Sequence, residues 1–263
     1  MIDVKDLSFK YIRSQSYILN RLSFSIKDGT TIAILGKNGI GKTTFLKCLT
    51  AEITDYSGSI LIDGHDVRKL SISELSKLIA VVASNNPCYQ NLCVADYLAI
   101  GLANQLATFQ FPNKAHYEKA FDVLAELKQE ELLNRSIYEL SSGEMQIVKI
   151  ARAILQNPKI IVFDEPTSNL DIKNQLLVLN HITSLAQRGY TVITTTHNPG
   201  QAMELAGKVL MLSTDEYVFG SAEEILTEDN LKMVYDLKAT INVGKYRKYT
   251  IFEDESGAHK LIC

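Results

Sequence analysis

The sequence predicts an α/β fold, a mostly parallel sheet flanked by helices with a helical stretch inserted in its middle. Short apolar, β-branched runs at residues 31–35, 159–163, 191–195 and 209–212 read as buried strands. Helical stretches separate them, as at residues 176–187. From about residue 96 to 156 the pattern turns helical, exemplified by Ala120, Phe121, Val123, Leu124 and Leu127.

In chain order, two half-buried strand patterns come first, at residues 2–9 and 22–26. They are expected to form an antiparallel β-subdomain. Asp28-Gly29 then turns the chain into the strand at 31–35, and residues 59–64 read as a further strand and turn. The tail from about residue 240 reads as a small β-appendage, with strands at 246–252 and 260–262 around Glu255-Ser256-Gly257. The expected organisation is a main domain over 1–239, with its core at 1–84 and 159–239 and a helical insertion at about 85–158. The appendage over 240–263 follows it. No internal repeat or low-complexity tract is present.

The 263 residues are 46% apolar and 22% charged, an ordinary globular composition. A net charge of -3 argues against non-specific nucleic-acid binding, because no basic excess is available to neutralise phosphates. No apolar run reaches a membrane-spanning length and the first residues lack a signal-peptide core, so any membrane role is expected to run through a partner. Cys48, Cys88, Cys93 and Cys263 have no C-x-x-C pairing, which reads as a reducing, cytosolic setting.

Gly36-Lys37-Asn38-Gly39-Ile40-Gly41-Lys42-Thr43 fits the phosphate-loop pattern G-x-x-x-x-G-K-[ST], with a strand before it and a helix opening at Thr44. Glycines let the backbone curl so that its N–H groups face a phosphate, and the helix N-terminus adds a favourable dipole. Lys42 is expected to reach the β- and γ-phosphates and Thr43 to ligate Mg²⁺. Residues 160–165 form an apolar strand ending in two acids. Asp164 is suited to hold Mg²⁺, and Glu165 to polarise a water for attack on the γ-phosphorus.

Leu140-Ser141-Ser142-Gly143-Glu144-Met145-Gln146 precedes that strand and opens what reads as a helix. Hydroxyls, backbone N–H groups and the dipole there converge on an anion. With these motifs in this order, nearly the whole chain resembles the ATP-binding-cassette ATPases, whose signature is close to L-S-G-G-Q/E-x-Q. The resemblance implies a P-loop NTPase fold with a RecA-like, mostly parallel sheet core, the N-terminal antiparallel β-subdomain and the inserted α-helical subdomain.

It also implies that two copies pack head to tail. Ser141, Ser142, Gly143 and Glu144 of one copy then close over the ATP held by residues 36–44 of the other. Asp171, in Ser168-Asn169-Leu170-Asp171, matches the loop at the dimer seam. His197, in Thr194-Thr195-Thr196-His197, matches the switch histidine that contacts the γ-phosphate. Tyr11 matches the aromatic on which adenine stacks, with Tyr17 as competitor.

Two positions depart from the family pattern. Ser142 replaces the second signature glycine. Ser84 stands where a glutamine usually approaches Mg²⁺, with Gln90 the alternative in a different loop register.

The function implied is the ATPase subunit of a membrane transporter, acting as a homodimer on transmembrane permease subunits at the cytoplasmic face. Residues 91–98 and 220–231 resemble the importers of iron complexes, haem and vitamin B12, which work with a substrate-binding protein. The coupling surface is expected at about residues 85–112, with Tyr89, Phe109 and Phe111 as contacts. A soluble cassette ATPase unconnected with transport is the alternative, but every motif occurs once and no sustained heptads are present. A regulator with little turnover is a third reading, opposed by the intact Lys42, Asp164, Glu165 and His197.

Overall fold

Ile2, Val4, Leu7 and Phe9 turn one face of β1 (Ile2–Phe9) into the core. Leu19, Leu22, Phe24 and Ile26 do the same for β2 (Leu19–Ile26). The two strands pair antiparallel, Ile2 opposite Ile26 and Val4 opposite Phe24. Register shifts on either side of Leu7 carry β2 back to Leu19, which pairs with Phe9, so the strand starts three residues before the expected 22. A bulge of this kind does not show in a period-2 pattern.

The computed structural model describes residues 1–12, 14–83, 92–105, 111–214, 216–243, 248–253 and 260–263. Two compact units emerge, residues 1–70 with 191–263, and residues 71–190. In the first unit, β3 (Thr31–Leu35), buried from Ile32 on, leads into helix α1 (Lys42–Leu49). Strand β4 (Ser57–Ile62) then pairs on the far side of β1 and β5 (His65–Asp66) extends it, giving the antiparallel order β2-β1-β4-β5. Cys48 is buried on α1, and burial pushes its thiol up to about 12.

The second unit opens with α2 (Ile72–Leu78), started by a reciprocal cap between Ser71 and Glu74. The helix runs straight into β6 (Ile79–Ala83). No glycine or proline marks that junction, which is why the sequence reading did not separate this strand. Helices α3 (Val94–Ile100), α4 (Lys114–Glu126) and α5 (Ser142–Leu155) occupy the span expected to be helical. Arg152 of α5 lies over the Tyr97 ring of α3, 5.0 Å from its centroid, and donates to the Tyr97 hydroxyl at 3.0 Å. Strand β7 (Ile160–Asp164) pairs in parallel with β6, so that Ala83 and Asp164 end side by side, and α6 (Ile172–Gln187) completes the unit.

Lys149 of α5 is buried, and its Nζ donates 2.9 Å to the carbonyl of Ala83. Burial, helped by the positive charge of Arg152, lowers its pKa from 10.5 to about 8. Between these values the unfolded chain binds more protons than the folded one, so stability rises as pH climbs from 8 to 10.5. Below pH 8 the full penalty is present. Lys149→Met, which cannot carry this charge, is therefore expected to gain stability relative to the wild type as pH falls from 10 to 7. Urea unfolding at pH 7 and pH 10 checks this. The stability of the variant minus that of the wild type should be smaller at the higher pH, and a constant difference would refute the assignment.

Back in the first unit, β8 (Thr191–Thr196) and β9 (Lys208–Leu212) flank β3 in parallel register, with Ala33 opposite both Thr194 and Val209. Helix α7 (Pro199–Leu205) connects them. Strand β10 (Tyr217–Ser221) returns antiparallel on β9. All five of its residues are half-buried, so it lacks the apolar run that announced the other strands. Short α8 (Ala222–Ile225) and α9 (Glu228–Tyr235) lead into a separate antiparallel sheet of β11 (Lys238–Val243), β12 (Lys248–Glu253) and β13 (Lys260–Ile262). The turn expected at 255–257 lies outside the described residues.

Candidate active site

Three glycines shape the loop between β3 and α1. A Cβ at Gly36 would lie 2.8 Å from the Ile40 side chain and 2.9 Å from the Leu212 carbonyl oxygen. Gly39 and Gly41 take φ of +80° and +118°, which L side chains rarely adopt. A turn from the Ile40 N–H to the Lys37 carbonyl folds the loop back, and α1 begins at Lys42 with no acid in its first turn to oppose the positive end of its dipole.

Lys42 is 5% exposed, and its Nζ donates to the carbonyls of Gly36 at 2.9 Å and Lys37 at 3.1 Å. Lys37, Asn38, Gly39 and Thr43 are exposed, and Ile40 is half-buried. Thr44 is buried, its hydroxyl 3.2 Å from that of Tyr11. The exposed Tyr11 ring stands edge-on to Phe9 at 4.9 Å, which fixes it beside the loop. Tyr17, the competing aromatic, lies under the Lys10 ammonium at 5.7 Å.

All six residues of β8 are buried, and the chain surfaces directly after them at the exposed His197. Asn198 caps α7 by accepting from the Gly200 N–H at 2.8 Å, and the His197 carbonyl accepts from the Tyr235 hydroxyl at 2.7 Å. Lys37, Asn38 and His197 line one cavity of about 690 Å³, together with Tyr235 and Phe252. This unit thus holds the whole phosphate loop, Tyr11 and His197.

The second unit holds the acids and the signature segment. Four buried residues carry β7 to the half-buried Asp164. Glu165 follows in the left-handed region at φ 47°, and its carbonyl accepts from both the N–H and the hydroxyl of Ser168, at 3.1 and 2.9 Å. Asp171 caps α6 by accepting from the Asn174 N–H at 2.8 Å and from its side-chain amide at 2.9 Å.

Ser141 caps α5, accepting from the Glu144 N–H. The Glu144 carboxylate accepts from the Ser141 N–H at 2.7 Å and pairs with Arg135 at 2.8 Å. That backbone bond is the largest cause of a carboxyl pKa held below the usual range. Ser142 is exposed, whereas Gly143 is buried against Asn174 so closely that a Cβ would fall 2.4 Å from its side chain. Sequence reasoning overlooked Asn174, Arg135 and Tyr235, for which no local pattern gives a signal. Ser84 and Gln90 lie outside the described residues. Among the described residues, no group of three or more His, Cys, Asp or Glu side chains could hold a metal ion, and no helix is long and apolar enough to cross a membrane.

A phosphate loop opening a helix from a parallel strand, with a strand-end acid pair and a capped signature helix, defines a nucleotide-binding P-loop ATPase. Residues 19–168 match the family model described as ABC transporter, and the chain belongs to that family as an ATP-binding, ATP-hydrolysing subunit. It is 36% identical to the "Probable iron chelatin transport ATP-binding protein" of Helicobacter pylori, over 90% of this chain and 93% of that one. It is 32% identical to the molybdate import ATP-binding protein MolC of Haemophilus influenzae, over 94% and 92%. A solved structure, an inward-facing conformation of a "putative metal-chelate type ABC transporter", superposes with a TM-score of 0.83 at 30% identity, covering 100% of this chain and 96% of its own.

Proposed function

We propose that this chain powers a bacterial importer of iron complexes, haem or cobalamin. Two copies close head to tail on ATP at the cytoplasmic face of the membrane and drive transmembrane permease subunits, with a substrate-binding protein acting indirectly. The observation that carries the dimer is the exposed Ser142 at the start of α5, beside a Ser141–Glu144 pair already engaged in capping that helix. A surface hydroxyl at a helix N-terminus suits an anion supplied from outside the chain. The cargo class rests on likeness to the chelate transporters. The molybdate relative shares the cassette with a different cargo, since cargo passes through the permease and not through this subunit.

In this reading residues 1–239 are the ATP-binding domain and 240–263 the appendage. Tyr11 stacks on adenine, the N–H groups of residues 36–44 cradle the phosphates, and Lys42 reaches the β- and γ-phosphates. Thr43 and Asp164 offer the hard oxygen donors that Mg²⁺ accepts beside phosphate oxygens, and when bound the ion offsets charge on those phosphates. Ser84 takes the position of the usual glutamine, with weakened contact to the ion. Glu165 receives the proton of the attacking water, and His197 contacts the γ-phosphate. Ser141, Ser142, Gly143 and Glu144 of the second copy complete the site, with Asp171 at the seam. The permease surface falls at about residues 85–112, where Phe111 is 84% exposed.

Ser142→Arg tests the dimer. At an exposed first-turn position it should change folding stability by no more than about 0.5 kcal/mol. In a Glu165→Gln background, where closed dimers accumulate, it should leave the protein monomeric with ATP by light scattering. A dimer of normal size would remove the signature segment from the interface.

A further inference from the structure

The C-terminal sheet is anchored in the core of its unit and grips the loop that carries His197. Ala239 of β11 and Phe252 of β12 are buried in the same cluster as Leu35 of β3 and Met211 of β9. Tyr235 ends α9, because Asp236 turns the chain into the left-handed region at φ 57°. The Tyr235 ring packs on Phe252, centroids 5.1 Å apart, and its hydroxyl donates 2.7 Å to the His197 carbonyl. Burial raises this phenol far above its usual range, so it stays a donor through the physiological pH range.

Three residues further along, the same loop is held again. The backbone of Cys263 is tied to Thr250 by two hydrogen bonds of 2.8 Å, and it lies so close to Gly200 that a Cβ there would sit 2.7 Å from the Cys263 carbonyl carbon. Segment 197–200 thus takes a hydrogen bond from a hydroxyl at its first residue and packs at its last against Cys263, the residue after β13. A hydrogen bond to a residue's own carbonyl restrains its peptide plane, and with it the direction of its side chain. His197 lines the same cavity as Lys37 and Asn38 of the phosphate loop.

We propose that Tyr235 is a positioning residue for ATP hydrolysis, holding the His197 backbone so that the imidazole meets the γ-phosphate. This rests on the role given to His197 above. Tyr235 touches no reacting atom, so its loss should lower kcat without weakening ATP binding.

Steady-state ATPase assays on the full chain compare the wild type with His197→Ala, Tyr235→Phe and the double variant. His197→Ala should lower kcat by about 100-fold or more. Tyr235→Phe, which removes one oxygen, should lower kcat by about 5- to 20-fold with KM for ATP within about twofold. The double variant should be no slower than His197→Ala alone, because two changes on one path do not add.

Wild-type kcat in Tyr235→Phe, or fully multiplicative losses in the double variant, would each overturn the proposal while His197→Ala remains slow. Full turnover in His197→Ala would instead overturn the role of His197 on which the proposal stands.

Discussion

Glu165→Gln is expected to bind ATP as tightly as the wild type and to hydrolyse it about 10²- to 10⁴-fold more slowly, the usual loss when a general base is removed. The substitution keeps size and hydrogen-bonding reach and deletes only the ability to take a proton. With ATP the protein should therefore accumulate as a closed dimer, visible by size-exclusion chromatography, that disperses only when nucleotide is removed. Rapid turnover by this variant would end the assignment.

The backbone adds a second, independent expectation. Glu165 sits in the left-handed region, where a residue with a Cβ bears about 1–2 kcal/mol of strain. Two hydrogen bonds from Ser168 to its carbonyl hold it there. Glycine adopts that conformation freely, so relief of strain should offset the loss of the side chain's own interactions, and Glu165→Gly should fold within about 1 kcal/mol of the wild type while losing hydrolysis. Chemical denaturation run beside the activity assay reads both. A large loss of stability in the glycine variant would mean that the side chain serves the fold rather than the reaction.

Lys42→Ala is expected to cost at least about 3 kcal/mol of ATP affinity, more than a hundredfold, since charge-assisted bonds to phosphate are among the strongest available. The structure adds that Lys42 also holds the loop itself, through the carbonyls of Gly36 and Lys37. The variant should thus melt somewhat lower than the wild type even without nucleotide. Millimolar ATP should raise the wild-type melting temperature and leave that of the variant unmoved, by mass action. Equal ATP-induced shifts in both proteins would remove this loop from the nucleotide site.

Much of the fold was legible because it is encoded locally. Strands β3, β7, β8 and β9 are runs of five or six mostly buried residues, and such runs are rich in apolar and β-branched side chains. The helix over 142–155 is announced by its Ser141–Glu144 cap. Among the elements that escaped, β6 and β10 lack that local information. One follows a helix without a break, and the other is half-buried throughout. The candidate site divides in the same way. The phosphate loop, the acid pair and the signature segment are each contiguous, so backbone geometry and chemistry are written together in a few neighbouring letters.

What the sequence determined by itself is therefore the set of motifs, a phosphate-loop pattern, a strand-end acid pair and a histidine after an apolar strand, because such motifs need residue types at fixed short spacing. What only the tertiary structure decided is how those motifs are held. Gly143 is needed because Asn174 fills the space above it, His197 is gripped by Tyr235, and Gly200 lies against Cys263. These partners lie tens of residues apart in the chain, and packing alone brings them within hydrogen-bond or van der Waals distance, so no local pattern could announce them.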